Sequence, residues 1–163
     1  MSARAEALAD RFNHEHNEVL RFVEGCSAAD WQAMVSDDQC SVGVLAQHIA
    51  IGYELETEMI RGMVIGQPPP APLQSWELLN EMNARNAEEL RDVSPEAALT
   101  RLCDGADRAE RFVRALSDEE LARTAAIPLL GGATASVEQM IEQGLVGHPG
   151  GHLTSARAAL DSR

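Results

Sequence analysis

Gly147-His148-Pro149-Gly150-Gly151-His152, close to the end of the chain, decides the fold. Around it Val137, Ile141, His148, His152, Ser155 and Ala159 recur at helical spacing, and Ser136 with Gln139 has the form of a capping box. That pattern reads as a last helix over 136–160. The hexapeptide opposes the reading, because inside a helix each Gly costs about 1 kcal/mol and Pro about 3 kcal/mol relative to Ala. Either 147–151 is a loop carrying two surface histidines, or the helix runs through with a kink whose cost is offset by metal ligation and packing. In the second case His148 and His152 project from one face about 6 Å apart, close enough to grip one cation.

The segments before it are easier to read. Over 5–24, Leu8, Phe12, His16, Val19 and Val23 fall in one helical stripe, and Gly25 ends it. Ser27-Ala28-Ala29-Asp30-Trp31 is a short capped turn with an aromatic anchor. A second helix over 41–65 turns Leu45, His48, Gly52, Leu55, Met59 and Met63 inward, and Gly66 with Pro68-Pro69-Pro70 and Pro72 stops it. A third segment runs from Ser75 to about Arg91. Ser94-Pro95-Glu96 then starts a helix over 95–116, with Leu99, Leu102, Ala106, Val113 and Leu116 inward. Ser117-Asp118-Glu119-Glu120 caps one more short turn, and Ile127-Pro128-Leu129-Leu130-Gly131-Gly132 is an extended stretch and a turn on the surface or over one end. Long amphipathic segments with almost no strand signal imply an all-α four-helix bundle with short extra helical turns, one domain over 1–163.

Composition narrows the function. All thirteen basic residues are Arg, and the formal charge is −13. That charge argues against nucleic acid and against anionic membrane surfaces as partners. No apolar window of about 18 residues suggests a span, and Met1-Ser2-Ala3-Arg4-Ala5-Glu6 lacks the apolar run of a signal peptide. Cys26, Cys40 and Cys103 have no Cys-x-x-Cys spacing and read as reduced thiols, so a cytoplasmic protein is expected.

His48 lies on the inner face of the 41–65 helix. With His148 and His152 it would supply three imidazoles and leave a coordination position open, as catalytic metal sites do. Such a neutral set suits Zn²⁺, Ni²⁺ or Fe²⁺ better than Mg²⁺ or Ca²⁺. Gly52, one turn beyond His48, removes volume either for close helix packing or for a pocket wall. His16 reaches about the same depth as His48 if their helices are neighbours, so it is an extra ligand, an outer partner of the site or a core histidine. His14 points away from it. The acidic residues mostly fall on outward faces, and no Ser/His/Asp order, phosphate-cradling glycine loop or close carboxylate pair stands out.

The chain resembles the DinB/YfiT-like superfamily of metal-dependent enzymes through Ser41-Val42-Gly43-Val44-Leu45-Ala46-Gln47-His48-Ile49 and, near the end, His148 and His152-Leu153 followed by Arg157 and Leu160. The segments between fit as well: an Asn-bearing stretch from Asn80 to Asn86, the Ser-Pro restart, and the Leu-Ser-Asp-Glu-Glu-Leu turn at 116–121. The resemblance implies a four-helix bundle of that group's topology, a divalent cation held by His48, His148 and His152, and a homodimer. It also implies thiol S-transferase or isomerase activity on a small-molecule substrate, with mycothiol, bacillithiol or glutathione as co-substrate. A metal-dependent hydrolase on the same ligands, and a metal-binding bundle without catalysis, are the alternatives. The last gains ground if side chains fill the space beside Gly52.

Overall fold

The computed structural model describes residues 2–36 and 39–162. Helix α1 (Ala3–Gly25) buries Leu8, Phe12, His16, Val19 and Val23, the stripe its periodicity predicts. The turn α2 (Ala28–Trp31) closes with a complete Ser27–Asp30 capping box, and its Trp31 indole N–H donates to the Val93 carbonyl at 2.9 Å. Helix α3 (Val42–Ile65) starts at the Ser41 cap and ends at Gly66, whose φ of 71° reverses the chain. After the prolines come a 3₁₀ turn (Ala71–Leu73), α4 (Trp76–Glu89), α5 (Pro95–Arg114) and the short capped α6 (Asp118–Ala122).

Two strand pairs interrupt the helices. Strands β1 (Met34–Val35) and β2 (Cys40–Ser41) pair antiparallel ahead of α3. The stretch expected to be extended forms β3 (Thr124–Ile127), and it has a partner that sequence patterning did not mark. That partner, β4 (Ala133–Ser136), pairs in the register Thr124↔Ser136 to Ile127↔Ala133. Pro128–Leu130 and the left-handed Gly131 and Gly132 make the connection.

The last segment is helical throughout but not uniform. It comprises α7 (Val137–Met140), a π-helical stretch (Ile141–Gly147) and α8 (His148–Asp161). Of the two expected alternatives, the helix therefore runs through Pro149. The π stretch ends just before it, so Pro149 sits in the first turn of α8, where a missing N–H breaks nothing. The wider π turns also shift the phase. Beyond them the buried line is Pro149, Leu153 and Ala156, one position later than the expected His148, His152 and Ser155. His148, His152, Ser155 and Ala159 are not on the core line but beside it, half-buried. A one-residue bulge in an α-helix rotates the residues beyond it by about 100°, which accounts for the correction.

Four long helical units pack as a bundle: α3 on α5, α1 on α5, and the last unit on both α1 and α3. Its core is mainly aliphatic around two aromatic rings, with Phe12, Tyr53, Ile60, Leu102 and Ile141 fully buried. Helix α4 stands outside it. It contacts α3, and Met82 is its one buried residue. No helix among the described residues is long and apolar enough to cross a membrane.

Candidate metal centre

Three imidazoles meet where α3 faces the start of α8. His48 Nε2 lies 3.3 Å from His148 Nε2, and His152 Nε2 lies 2.9 Å from the same atom. One nitrogen of each ring falls within 4.8 Å of the others, a separation at which three ligands can share one ion. The rings stand at 73°, 86° and 80° to one another. Edge-on rings of this kind aim nitrogens at a common point instead of stacking. A single ring hydrogen at His148 Nε2 cannot serve both neighbours, so the arrangement suits a cation better than hydrogen bonds among the three. Burial, then the nearby His152 and His48, lowers the His148 pKa to about 3, leaving a neutral imidazole with a lone pair to offer.

The far side of His148 meets a residue that the helical reading had consigned to a solvated face. Glu56 Oε1 lies 3.3 Å from His148 Nδ1, and its side chain is only 16% exposed. Glu56 Oε2 is buried without a hydrogen-bond partner among the described residues. Burial pushes the Glu56 pKa up to about 8. With Glu56 ionised, as a cation at Nε2 would favour, the Nδ1–H of His148 would donate to the carboxylate and Nε2 would stay bare, the usual way an outer carboxylate orients a ligating imidazole. The signal for Glu56 was present in its spacing: His48, Gly52 and Glu56 succeed one another at intervals of four.

The π stretch supplies the seat. A Cβ on Gly144 would stand 2.8 Å from Glu56 Cδ, so only a glycine there admits the carboxylate. Gly52, expected to serve either close helix packing or a pocket wall, lines the cavity and makes room for the His148 ring. A Cβ on it would stand 3.0 Å from His148 Cε1 and 3.1 Å from Nδ1. π segments inside α-helices often mark functional sites, and here the segment both seats Glu56 and turns the histidines off the core line.

His16 lies outside the cluster. It is buried against Phe12 and Tyr53, with Nδ1 3.4 Å from the Tyr53 hydroxyl, and burial lowers its pKa. It is a core histidine. Among the cysteines, Cys40 lines the site, Cys26 donates to the Phe22 carbonyl at 3.2 Å and Cys103 is exposed.

The space near Gly52 is open. A cavity of about 360 Å³ runs from His48, His148 and His152 to Trp76 and Leu79 on α4 and to Leu129 of the β3–β4 connection. A second, of about 190 Å³, lies toward Cys40, Asn86 and Leu90. His48, His152, Ile51 and Asn83 line both, so the two lobes adjoin at the imidazoles. Asn83 Oδ1 is buried there without a hydrogen-bond partner among the described residues.

Comparison with known proteins bears on this arrangement. Residues 12–143 match the family described as the mycothiol maleylpyruvate isomerase N-terminal domain, a range that includes His48 and stops before His148. Among solved structures, YfiT from Bacillus subtilis, a probable metal-dependent hydrolase with an unusual four-helix bundle topology, is similar over 99% of this chain and 89% of that one. Its TM-score is 0.76 at 12% identity, a likeness of fold. No curated protein sequence matches.

Proposed function

The chain belongs to the mycothiol maleylpyruvate isomerase N-terminal domain family, within the DinB/YfiT-like group its sequence resembles, and from that premise we propose a divalent-metal-dependent enzyme that transfers or isomerises through a low-molecular-weight thiol. His48, His148 and His152 hold the cation, with Zn²⁺, Ni²⁺ or Fe²⁺ fitting the donor set. The observation that carries this reading is the convergence of three Nε2 atoms at the junction of two cavities. A bound cation with an open position lowers the pKa of a thiol, so that thiolate is available near neutral pH.

The rest is the work of the chain itself. Glu56 fixes the tautomer of His148, Gly52 lets that ring approach α3, and Gly144 keeps the carboxylate in place. The two lobes give a thiol and an electrophile separate places on either side of the imidazoles. Water in place of the thiol would make the same centre hydrolytic, a second reading supported by the description of YfiT. The adjoining lobes favour two substrates.

Elemental analysis of untagged protein should find about one equivalent of transition metal, and His152→Ala should lose it, since two imidazoles hold a cation poorly. Unchanged metal content in that variant would refute the ligand set. Mycothiol, bacillithiol and glutathione should then be compared as co-substrates with a common electrophile. Turnover without any thiol would favour the hydrolase.

A further inference from the structure

We propose that the larger lobe takes the uncharged, mainly apolar body of the electrophilic substrate, with a hydrogen-bond donor on that substrate directed at Asn83. This rests on the metal-centre reading above and adds to it the class of molecule the centre acts on.

Three elements build the lobe. Ile51 and Leu55 come from α3, Trp76 and Leu79 from α4, and Leu129 from the β3–β4 connection. Apart from the imidazoles, the described residues lining it include no basic side chain, and Glu56 is its one acid. Arg85 and Arg101 line an open groove that adjoins the lobe at Ile51, Leu55 and Met82, and they stand there beside Glu54, Glu58 and Glu89. There Arg101 is already forked onto Glu54, with contacts of 3.1 and 3.0 Å. A carboxylate on the body of a ligand would find no cation of its own in the lobe, inside a protein of formal charge −13. The family description names maleylpyruvate, a dicarboxylate, and this lining does not match such a molecule.

Two polar details set the other half of the inference. The Asn83 carbonyl oxygen is buried where the lobes adjoin and has no hydrogen-bond partner among the described residues. Buried acceptors without partners are rare, and a ligand N–H or O–H would satisfy this one. Trp76 meanwhile leaves 59% of its surface exposed, yet its indole N–H is committed to the Leu129 carbonyl at 3.0 Å. The indole thus offers an approaching molecule only an apolar face, which selects for apolar bodies at the rim. The volume, about 360 Å³, lies in the range of small-molecule sites.

Hydroxamates with different arms separate the possibilities, because the head group engages the metal and the arm reports the lobe. Calorimetry on the zinc-loaded full chain would compare acetohydroxamate, 4-phenylbutanohydroxamate and the monohydroxamate of glutaric acid. The phenyl arm should bind about tenfold or more tighter than acetohydroxamate from apolar burial, and the carboxylate arm no tighter than acetohydroxamate. Leu79→Arg should reverse the order of the phenyl and carboxylate arms. Asn83→Leu should weaken an amide-bearing arm relative to the phenylalkyl arm and leave zinc content unchanged. A wild-type chain that binds no zinc overturns both readings. A zinc-loaded chain that holds the three arms alike, or prefers the carboxylate, overturns this one alone.

Discussion

Replacing Gly144 with Ala tests whether the π stretch is there to seat Glu56. The added Cβ would stand 2.8 Å from Glu56 Cδ and 3.4 Å from Oε1, with Oε2 closer still. Carbon–oxygen contacts settle at about 3.3–3.6 Å, so the carboxylate must retreat by roughly an ångström. It is the end of a flexible side chain and can do so without unfolding the bundle. Ala is also favoured over Gly in a helix by about 1 kcal/mol, so the metal-free chain should stay within about 1 kcal/mol of wild type. The retreat breaks the 3.3 Å approach of Glu56 to His148 Nδ1. Loss of such an outer partner weakens metal binding about 10–100-fold, equivalent to about 1.4–2.7 kcal/mol. Zinc competition against a chromophoric chelator, with urea denaturation of the metal-free protein alongside, measures both quantities. Glu56→Ala should show a similar loss of affinity. In that background Gly144→Ala should do nothing further, because the group it displaces is gone. Wild-type zinc affinity in Gly144→Ala, or full additivity of the two changes, would mean that the glycine does not act through Glu56.

Gly52→Ala places a Cβ 3.0 Å from His148 Cε1, forcing the ring to give by a few tenths of an ångström; zinc affinity should fall roughly tenfold, and an unchanged value would show the ring has slack. His16 is held neutral by burial with its pKa below the ordinary 6.5. The unfolded chain therefore binds more protons just below that pH, and stability should decline as pH falls through 6.5, by at most about 1.4 kcal/mol per pH unit for this group. Denaturation midpoints of wild type and His16→Phe across pH 5–7 check it: the variant should have the flatter profile. Pro149→Ala should change stability by less than about 1 kcal/mol, since Pro149 lies in the first turn of α8. A gain near 3 kcal/mol in urea denaturation would place it in a helix interior after all.

Most of the architecture was readable because its signals are local. Ser27, Ser94, Ser117 and Ser136 each cap the helix they were expected to start, and periodicity located the buried face of α1. Helix α3 is buried on more sides than its expected stripe, with Val42, Ala50, Tyr53 and Ile60 fully buried outside it and His48 and Leu55 half-buried. The three histidines were found by the same logic, since spacing by four within α8 and an inward position on α3 both show in the sequence. What escaped was what depends on a change of period. Gly144 and Gly147 supply no side chain to a pattern, so the π stretch left no mark, and the predicted core line ran straight through His148. Glu56 was hidden by its neighbours: between Glu54 and Glu58 it looked like one more acid on a wet face, although Glu54 is salt-bridged to Arg101 and Glu58 is exposed. Asn83 lies in the Asn-bearing stretch from Asn80 to Asn86 that the sequence marked, but its role was not legible, because an unpartnered amide is a property of the folded site alone.

Helix α4 explains how one chain can hold a stiff centre beside a yielding wall. The imidazoles stand on α3 and α8, both packed into the bundle, so their mutual geometry is fixed by the core. The opposing wall is α4, from which Trp76, Leu79, Asn83 and Asn86 line the two cavities. With Met82 as its one buried residue, α4 draws little stability from packing, and its anchors are the Ser75 cap and the Trp76–Leu129 hydrogen bond. Elements with so few buried contacts belong to the low-stability end of a fold, where substrate-facing segments are commonly found. An occupant of the lobe would add apolar contacts to α4, while the three imidazoles need not move.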